Sequence, residues 1–207
     1  HTAVQASLGH LAEATEGLTE AEGILKKLGL KRPRVLALAN LCELHTWQGN
    51  LAMALNCGRR SQMLAREVLY RVGEGAAARV SGVVALELGL MEEARQRLHE
   101  AIDIVGPLQI KSELIATRYA IGRYQLERGQ VSMAERHLSI ARGLAAQRDP
   151  EGYLPLIQAT LAYVFTESGD RFQAEQILAQ ALERHGGVPL PQQIKSLAVA
   201  ARAFVQL

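Results

Sequence analysis

The stretch Gly89-Leu90-Met91-Glu92-Glu93-Ala94 decides the fold, because its outline, Gly-x-x-x-x-Ala, returns every 40 residues along the chain. Further copies stand at Gly9 to Ala14, Gly49 to Ala54, Gly129 to Ala134 and Gly169 to Ala174. A fixed period between 20 and 50 residues marks a repeat architecture, in which no unit buries its apolar face alone and each stacks on its neighbours. Outward from the quoted stretch the pattern is helical. Leu98 and Ala101 follow Ala94, Leu138 and Ala141 follow Ala134, and Leu178 and Ala181 follow Ala174, steps of four and three that share one helix stripe. Seven residues before the four inner glycines stand the small residues Cys42, Gly82, Gly122 and Ala162, which allow a second helix to approach closely.

The glycines end one helix and the breakers end the next. First helices (A) are expected near residues 34–48, 74–88, 109–128, 151–168 and 191–207, with a partial one at the start. Second helices (B) are expected near 11–28, 51–70, 91–105, 131–147 and 171–185, about eleven helices in all. The connections between units carry Gly29 and Pro33, Gly73 and Gly75, Gly106 and Pro107, Pro150, and then Gly186, Gly187, Pro189 and Pro191. No stretch alternates apolar and polar residues long enough for a sheet. The expected fold is all-α, a solenoid of antiparallel helix pairs forming one repeat domain over residues 1–207.

Composition agrees with close helix packing. Of 207 residues, 48% are hydrophobic but only 4% aromatic, so the core is built from Ala and Leu, and the net charge is +2. Cys42 and Cys57 lack a CxxC or Cys-His spacing and read as small buried thiols in a reducing compartment. The most apolar stretch, Val80 to Met91, is interrupted by Glu87, and there is no signal peptide, so no membrane span and a cytoplasmic location are expected. The chain does not begin with Met and ends on an apolar helix, Ala198 to Val205, without a polar cap. A fragment of a longer array is therefore expected, with self-association through that uncapped helix as one open reading.

The Gly-to-Ala turn, the large residue four further on, the Ala three beyond it, and the small residue in the first helix together resemble the tetratricopeptide-repeat (TPR) family over the whole chain. The resemblance implies a right-handed superhelix whose concave face, lined by A helices, holds a peptide, a partner protein or a small ligand. Two departures stand out. The family's usual period is 34, and units of 40 look more like the sensor arrays of large bacterial maltose-regulator-type transcriptional activators. In the second unit Gly58 and Ser61 replace the Leu and the Ala, which marks that B helix as the weak or bent one.

Carried over residue by residue, the family's groove positions fall on Ala39, Glu43, Thr46 and Trp47; Arg79, Val83, Leu86 and Glu87; Tyr119, Arg123, Leu126 and Glu127; and Ala159, Tyr163, Thr166 and Glu167. The resemblance thus implies a ligand- or peptide-binding set of Glu43, Arg79, Tyr119, Arg123, Glu127 and Tyr163, residue types that make binding hot spots. The competing reading places Tyr119 and Tyr163 half-buried between adjacent A helices. Ala39, Glu43, Arg79 and Val83 do not supply the Lys and Asn of the subfamily that clamps a chaperone carboxylate, which excludes that partner class. Two basic runs, Lys26 to Arg34 and Arg59 to Arg71, read as solvated helix faces, so no direct nucleic-acid contact is expected.

Nothing points to catalysis. The histidines show no HxxxH or HExxH spacing, and GxxxxGK[ST], GxSxG and GxGxxG after a strand are all missing, so no enzyme activity, cofactor or metal is expected. Gly73-Glu74-Gly75 reads as a loop. The function expected is a non-enzymatic protein- or peptide-binding scaffold, the sensor or interaction segment of a larger bacterial signalling or transcription-regulatory protein. A metabolite sensor and a homo-oligomerisation module are the alternatives.

Overall fold

The computed structural model describes residues 11–149, 152–184, 199, 200 and 203. Among them are nine α-helices and no strand. They are α1 Leu11–Lys27, α2 Lys31–Trp47, α3 Leu51–Glu67, α4 Arg71–Glu87, α5 Met91–Leu108, α6 Lys111–Glu127, α7 Val131–Gln147, α8 Leu154–Glu167 and α9 Arg171–Arg184. The expected A helices are α2, α4, α6 and α8; the expected B helices are α1, α3, α5, α7 and α9. The turn at Gly9, the partial first helix and the connection 186–191 lie outside the described residues. Of the expected last helix only Val199, Ala200 and Ala203 are described, and all three are helical.

The period is finer than the sequence pattern suggests. The first seven helices start 20 residues apart, and all but one of them are 17 residues long. Between successive helices one residue takes the left-handed conformation: Gly29, Gly49, Leu69, Gly89, Gln109 and Gly129, with φ of 68°, 75°, 50°, 71°, 53° and 67°, and then Gly169 at 81°. At six of these seven positions the two hydrogen bonds of a Schellman motif close the helix end. In the turn after α4, Gly89 N–H donates to the Leu86 carbonyl at 3.0 Å and Leu90 N–H to the Ala85 carbonyl at 2.9 Å. Leu90 then opens the next helix, because its carbonyl accepts the Ala94 N–H at 2.9 Å. The Gly-x-x-x-x-Ala outline thus records one helix end and the first inward residue of the next. Ala54, Ala94, Ala134 and Ala174 are each fully buried.

Packing divides the chain into two compact units, one ending at Glu113 in the first turn of α6 and the other starting at Leu114. Within each, the small residues of the A helices meet the large residues of the B helices. A Cβ on Gly82 would lie 2.8 Å from Leu98 Cγ, and one on Gly122 would lie 2.6 Å from Leu138 Cγ. Between α2 and α3 the sizes are exchanged: Gly58 stands where α5 has Leu98, and a Cβ there would meet Cys42 Sγ at 3.3 Å and Ser81 Oγ of α4 at 2.6 Å. Ser61 is also buried and donates to the Val35 carbonyl at 2.8 Å. The departures at Gly58 and Ser61 are therefore packing solutions, and α3 runs unbroken from Leu51 to Glu67.

Other expectations are corrected. Gly73-Glu74-Gly75 is no loop but the first turn of α4, where a Cβ at 73 would strike Val35 Cγ1 at 2.6 Å and one at 75 would strike Val105 Cγ1 at 2.5 Å. Gly106 and Pro107 lie inside the last turn of α5. The connection before α8 breaks the 20-residue rhythm, and Asp149 there caps α8 by accepting the Tyr153 and Leu154 N–H groups at 2.9 and 2.6 Å.

A non-glycine residue in the left-handed region costs about 1–2 kcal/mol, so Leu69→Gly should raise the unfolding free energy by about 1 kcal/mol, whereas Gly89→Ala should lower it by a similar amount. Urea denaturation of the two variants beside the native chain checks the opposite signs.

Candidate functional site

The A helices present rows of side chains at equivalent positions, and burial sorts those rows. Ala39 and Arg79 in the first unit, and Tyr119 and Ala159 in the second, hold one equivalent position and are at most 8% exposed, so that position is a packing row in each. One turn along, Glu43, Val83, Arg123 and Tyr163 are half-buried. Glu87, Glu127 and Glu167, at the ends of α4, α6 and α8, are exposed. Of the six residues singled out from sequence, Arg79 and Tyr119 thus fall in the packing row, Glu43, Arg123 and Tyr163 in the half-open row, and Glu127 at a helix end.

In the first unit Arg79 is held by acids on both sides. Its Nη1 donates to Glu43 Oε1 at 2.6 Å, and its Nε lies 3.5 Å from Glu113 Oε2. A guanidinium keeps its charge when buried and offers several donors in a fixed fork, which suits a place between two carboxylates on different helices. Glu113 carried no signal in the sequence as a site residue; only its position in the first turn of the next A helix brings it to Arg79. In the second unit the ring of Tyr119 meets Tyr153 edge to face, with centroids 5.8 Å apart at 62°. Tyr119 belongs to the hydrophobic core there and Tyr163 packs against that core from its edge. Tyr119 is thus more deeply buried than the half-burial expected of it, and Tyr163 is half-buried.

Part of the basic runs is matched by acids, mostly on other helices. Glu22 is buried and accepts from Arg34 Nε at 2.7 Å and Arg60 Nη2 at 2.8 Å. Arg66 and Arg71 both reach Glu74, at 3.0 and 2.7 Å, and Arg66 also pairs with Glu100. The hydrogen bond that Arg66 donates to Glu74, with help from Glu100, raises the pKa of the Arg66 guanidinium further. Both cysteines are free and buried, and burial is the main cause that pushes both thiols up from their ordinary range. Such thiols are poor nucleophiles. Among the described residues no three His, Cys, Asp or Glu side chains gather closely enough to hold a metal ion, and no helix is long and apolar enough to cross a membrane.

Removing Arg79 would leave two half-buried carboxylates, on Glu43 and Glu113, without their shared cation, and breaking a buried pair costs about 3 kcal/mol. Arg79→Ala should therefore lower stability by about 3 kcal/mol, and adding Glu43→Gln and Glu113→Gln should recover part of the loss. Chemical denaturation of the single and triple variants measures both.

No protein-family model and no curated protein sequence matches the chain. Among solved structures, it is similar to a Rap protein complexed with competence and sporulation factor, with a TM-score of 0.79 and 13% identity, over 97% of this chain and 53% of that one. It thus spans about half the length of that protein. Nearly identical TPR-like repeats of a putative kinesin light chain from Podosopora anserina align with a TM-score of 0.59 and 20% identity, over 88% of this chain and 90% of theirs. BtubC from P. vanneervenii aligns with a TM-score of 0.67 and 14% identity, over 90% of this chain and 77% of its own. The helix pairs, their Schellman turns and these alignments give one conclusion: the chain has the fold of the tetratricopeptide-like repeat proteins.

Proposed function

We propose that the chain, as one repeat domain, is a non-enzymatic scaffold that binds a protein or peptide along the A-helix faces of its units. In this reading it acts in the cytoplasm as the sensor or interaction segment of a larger bacterial signalling or transcription-regulatory protein. The observation that carries the proposal is a half-open row in each unit, Glu43 and Val83 in the first and Arg123 and Tyr163 in the second. These side chains stand on helices whose other faces are buried, so their positions are set before a ligand arrives and little ordering entropy opposes binding. Arginine and tyrosine in such half-desolvated places are the types that dominate binding energy. The complex of the Rap protein with competence and sporulation factor lends support from a chain of the same fold. Arg79 and Tyr119 have a different part in this reading, which is to fix the helices that carry the row.

Selection of extended peptides from a random displayed library against the 207-residue chain tests this. Peptides should be enriched whose Kd rises about tenfold or more with Arg123→Ala or Tyr163→Ala, while thermal unfolding changes little. No enrichment, or peptides indifferent to both substitutions and to Val83→Asp, would contradict the proposal.

A further inference from the structure

Two turns of the first unit share a shape and carry opposite charge. The α1–α2 connection reads Lys26-Lys27-Leu28-Gly29-Leu30-Lys31-Arg32, and the α4–α5 connection reads Glu87-Leu88-Gly89-Leu90-Met91-Glu92-Glu93. Each sets a left-handed glycine, at φ 68° and 71°, between two leucines. The leucines are exposed in both: Leu28 at 65% and Leu30 at 46%, Leu88 at 40% and Leu90 at 45%. No acidic residue falls between Gly23 and Arg34, and no Lys or Arg falls between Val80 and Ala94, while Arg95 just beyond pairs with Glu92 on its own helix.

The two turns cannot neutralise each other within one molecule. Antiparallel helices place B-to-A turns at one edge of the stack and A-to-B turns at the other, and a 17-residue helix separates the edges by about 25 Å. The basic turn has a further apolar neighbour. Lys31 Nζ reaches Glu67 at 2.5 Å and the Arg32 guanidinium lies 5.7 Å from the Tyr70 ring centre, which joins this turn to the one after α3. At the tip of that neighbouring turn is Leu69, 82% exposed and in the left-handed region at φ 50°. Glycine fills that place in five of the other turns. Leu69 thus adds an exposed aliphatic tip beside the basic turn.

We propose that the basic Leu-Gly-Leu turn of one copy docks on the acidic Leu-Gly-Leu turn of a second copy. Aliphatic tips meet aliphatic tips, and Lys26 and Lys27 face Glu87 and Glu93, so charge fixes the pairing of unlike edges and opposes that of like edges. A second copy is the occupant that accounts for both turns; an anionic lipid surface or a nucleic acid would use the basic turn and leave the acidic one without a role. Because different surfaces meet, the contact is head-to-tail and each addition leaves a free basic turn and a free acidic turn for the next copy, giving open chains or rings. Two turns make a small interface, so association is weak and grows with concentration. This contact is independent of the peptide-binding row and of the C-terminal helix.

Sedimentation of the 207-residue chain over a range of concentrations tests it. The average mass should rise above the 22.5 kDa monomer as concentration increases, and fall back between about 0.1 and 1 M salt as the Debye length shrinks from about 10 to 3 Å. The double variant Lys26→Glu with Lys27→Glu should stay monomeric at concentrations where the native chain associates, and so should Glu87→Lys with Glu93→Lys. An equimolar mixture of the two double variants should associate again, because each reversed turn then finds its complement. Leu28→Gln with Leu90→Gln, at exposed sites, gives a second way to weaken the contact should a charge reversal fail to fold. A monomer at every concentration, association indifferent to these substitutions, double variants that do not complement on mixing, or binding of anionic vesicles without self-association would each overturn the proposal.

Discussion

The structure depends on one backbone event, the entry of a single residue into the left-handed region at the end of almost every helix. That residue closes the finished helix through two hydrogen bonds and leaves its successor's carbonyl free to open the next one. Because the event recurs every 20 residues over the first seven helices, successive helices have nearly equal length and reverse direction at regular intervals. All else follows from that regularity: equivalent residues fall into rows, and the rows become packing seams or open faces.

Within the seams, the small residue sits on the A helix in some pairs and on the B helix in another. Gly82 and Gly122 give way to Leu98 and Leu138, while Cys42 of α2 and Ser81 of α4 lie against Gly58 of α3. Close packing explains why the aromatic content can be so low, since helices that nearly touch have room for Ala and Leu but little for rings. Charged groups in the seams are held by partners on neighbouring helices, as with Arg79 between Glu43 and Glu113 and Glu22 between Arg34 and Arg60. The rows that remain partly open carry the proposed interaction chemistry, and the turn edges carry the charge contrast.

The sequence revealed the helix pairs because glycine marks the turn inside each pair. It concealed the half-period because Leu69 and Gln109 take the place of glycine in turns between pairs, and a non-glycine residue in that conformation leaves no compositional trace. For the same reason Gly73 and Gly75 looked like breakers. They are close-approach residues, a role that depends on Val35 and Val105, which lie far off in sequence. The candidate site was legible as a set of helix positions but not as exposures. A four-residue shift along a helix separates Tyr119, sealed against Tyr153, from Arg123 in the half-open row, and residue type does not report that difference.

Backbone chemical shifts and scalar couplings at residues 29, 49, 69, 89, 109, 129 and 169, measured by NMR in solution, test the central claim most directly. A left-handed conformation is predicted at all seven, Leu69 and Gln109 included, with helical values in the segments on both sides of each turn. Extended or right-handed values at Leu69 and Gln109 would contradict the 20-residue half-period and the architecture built on it.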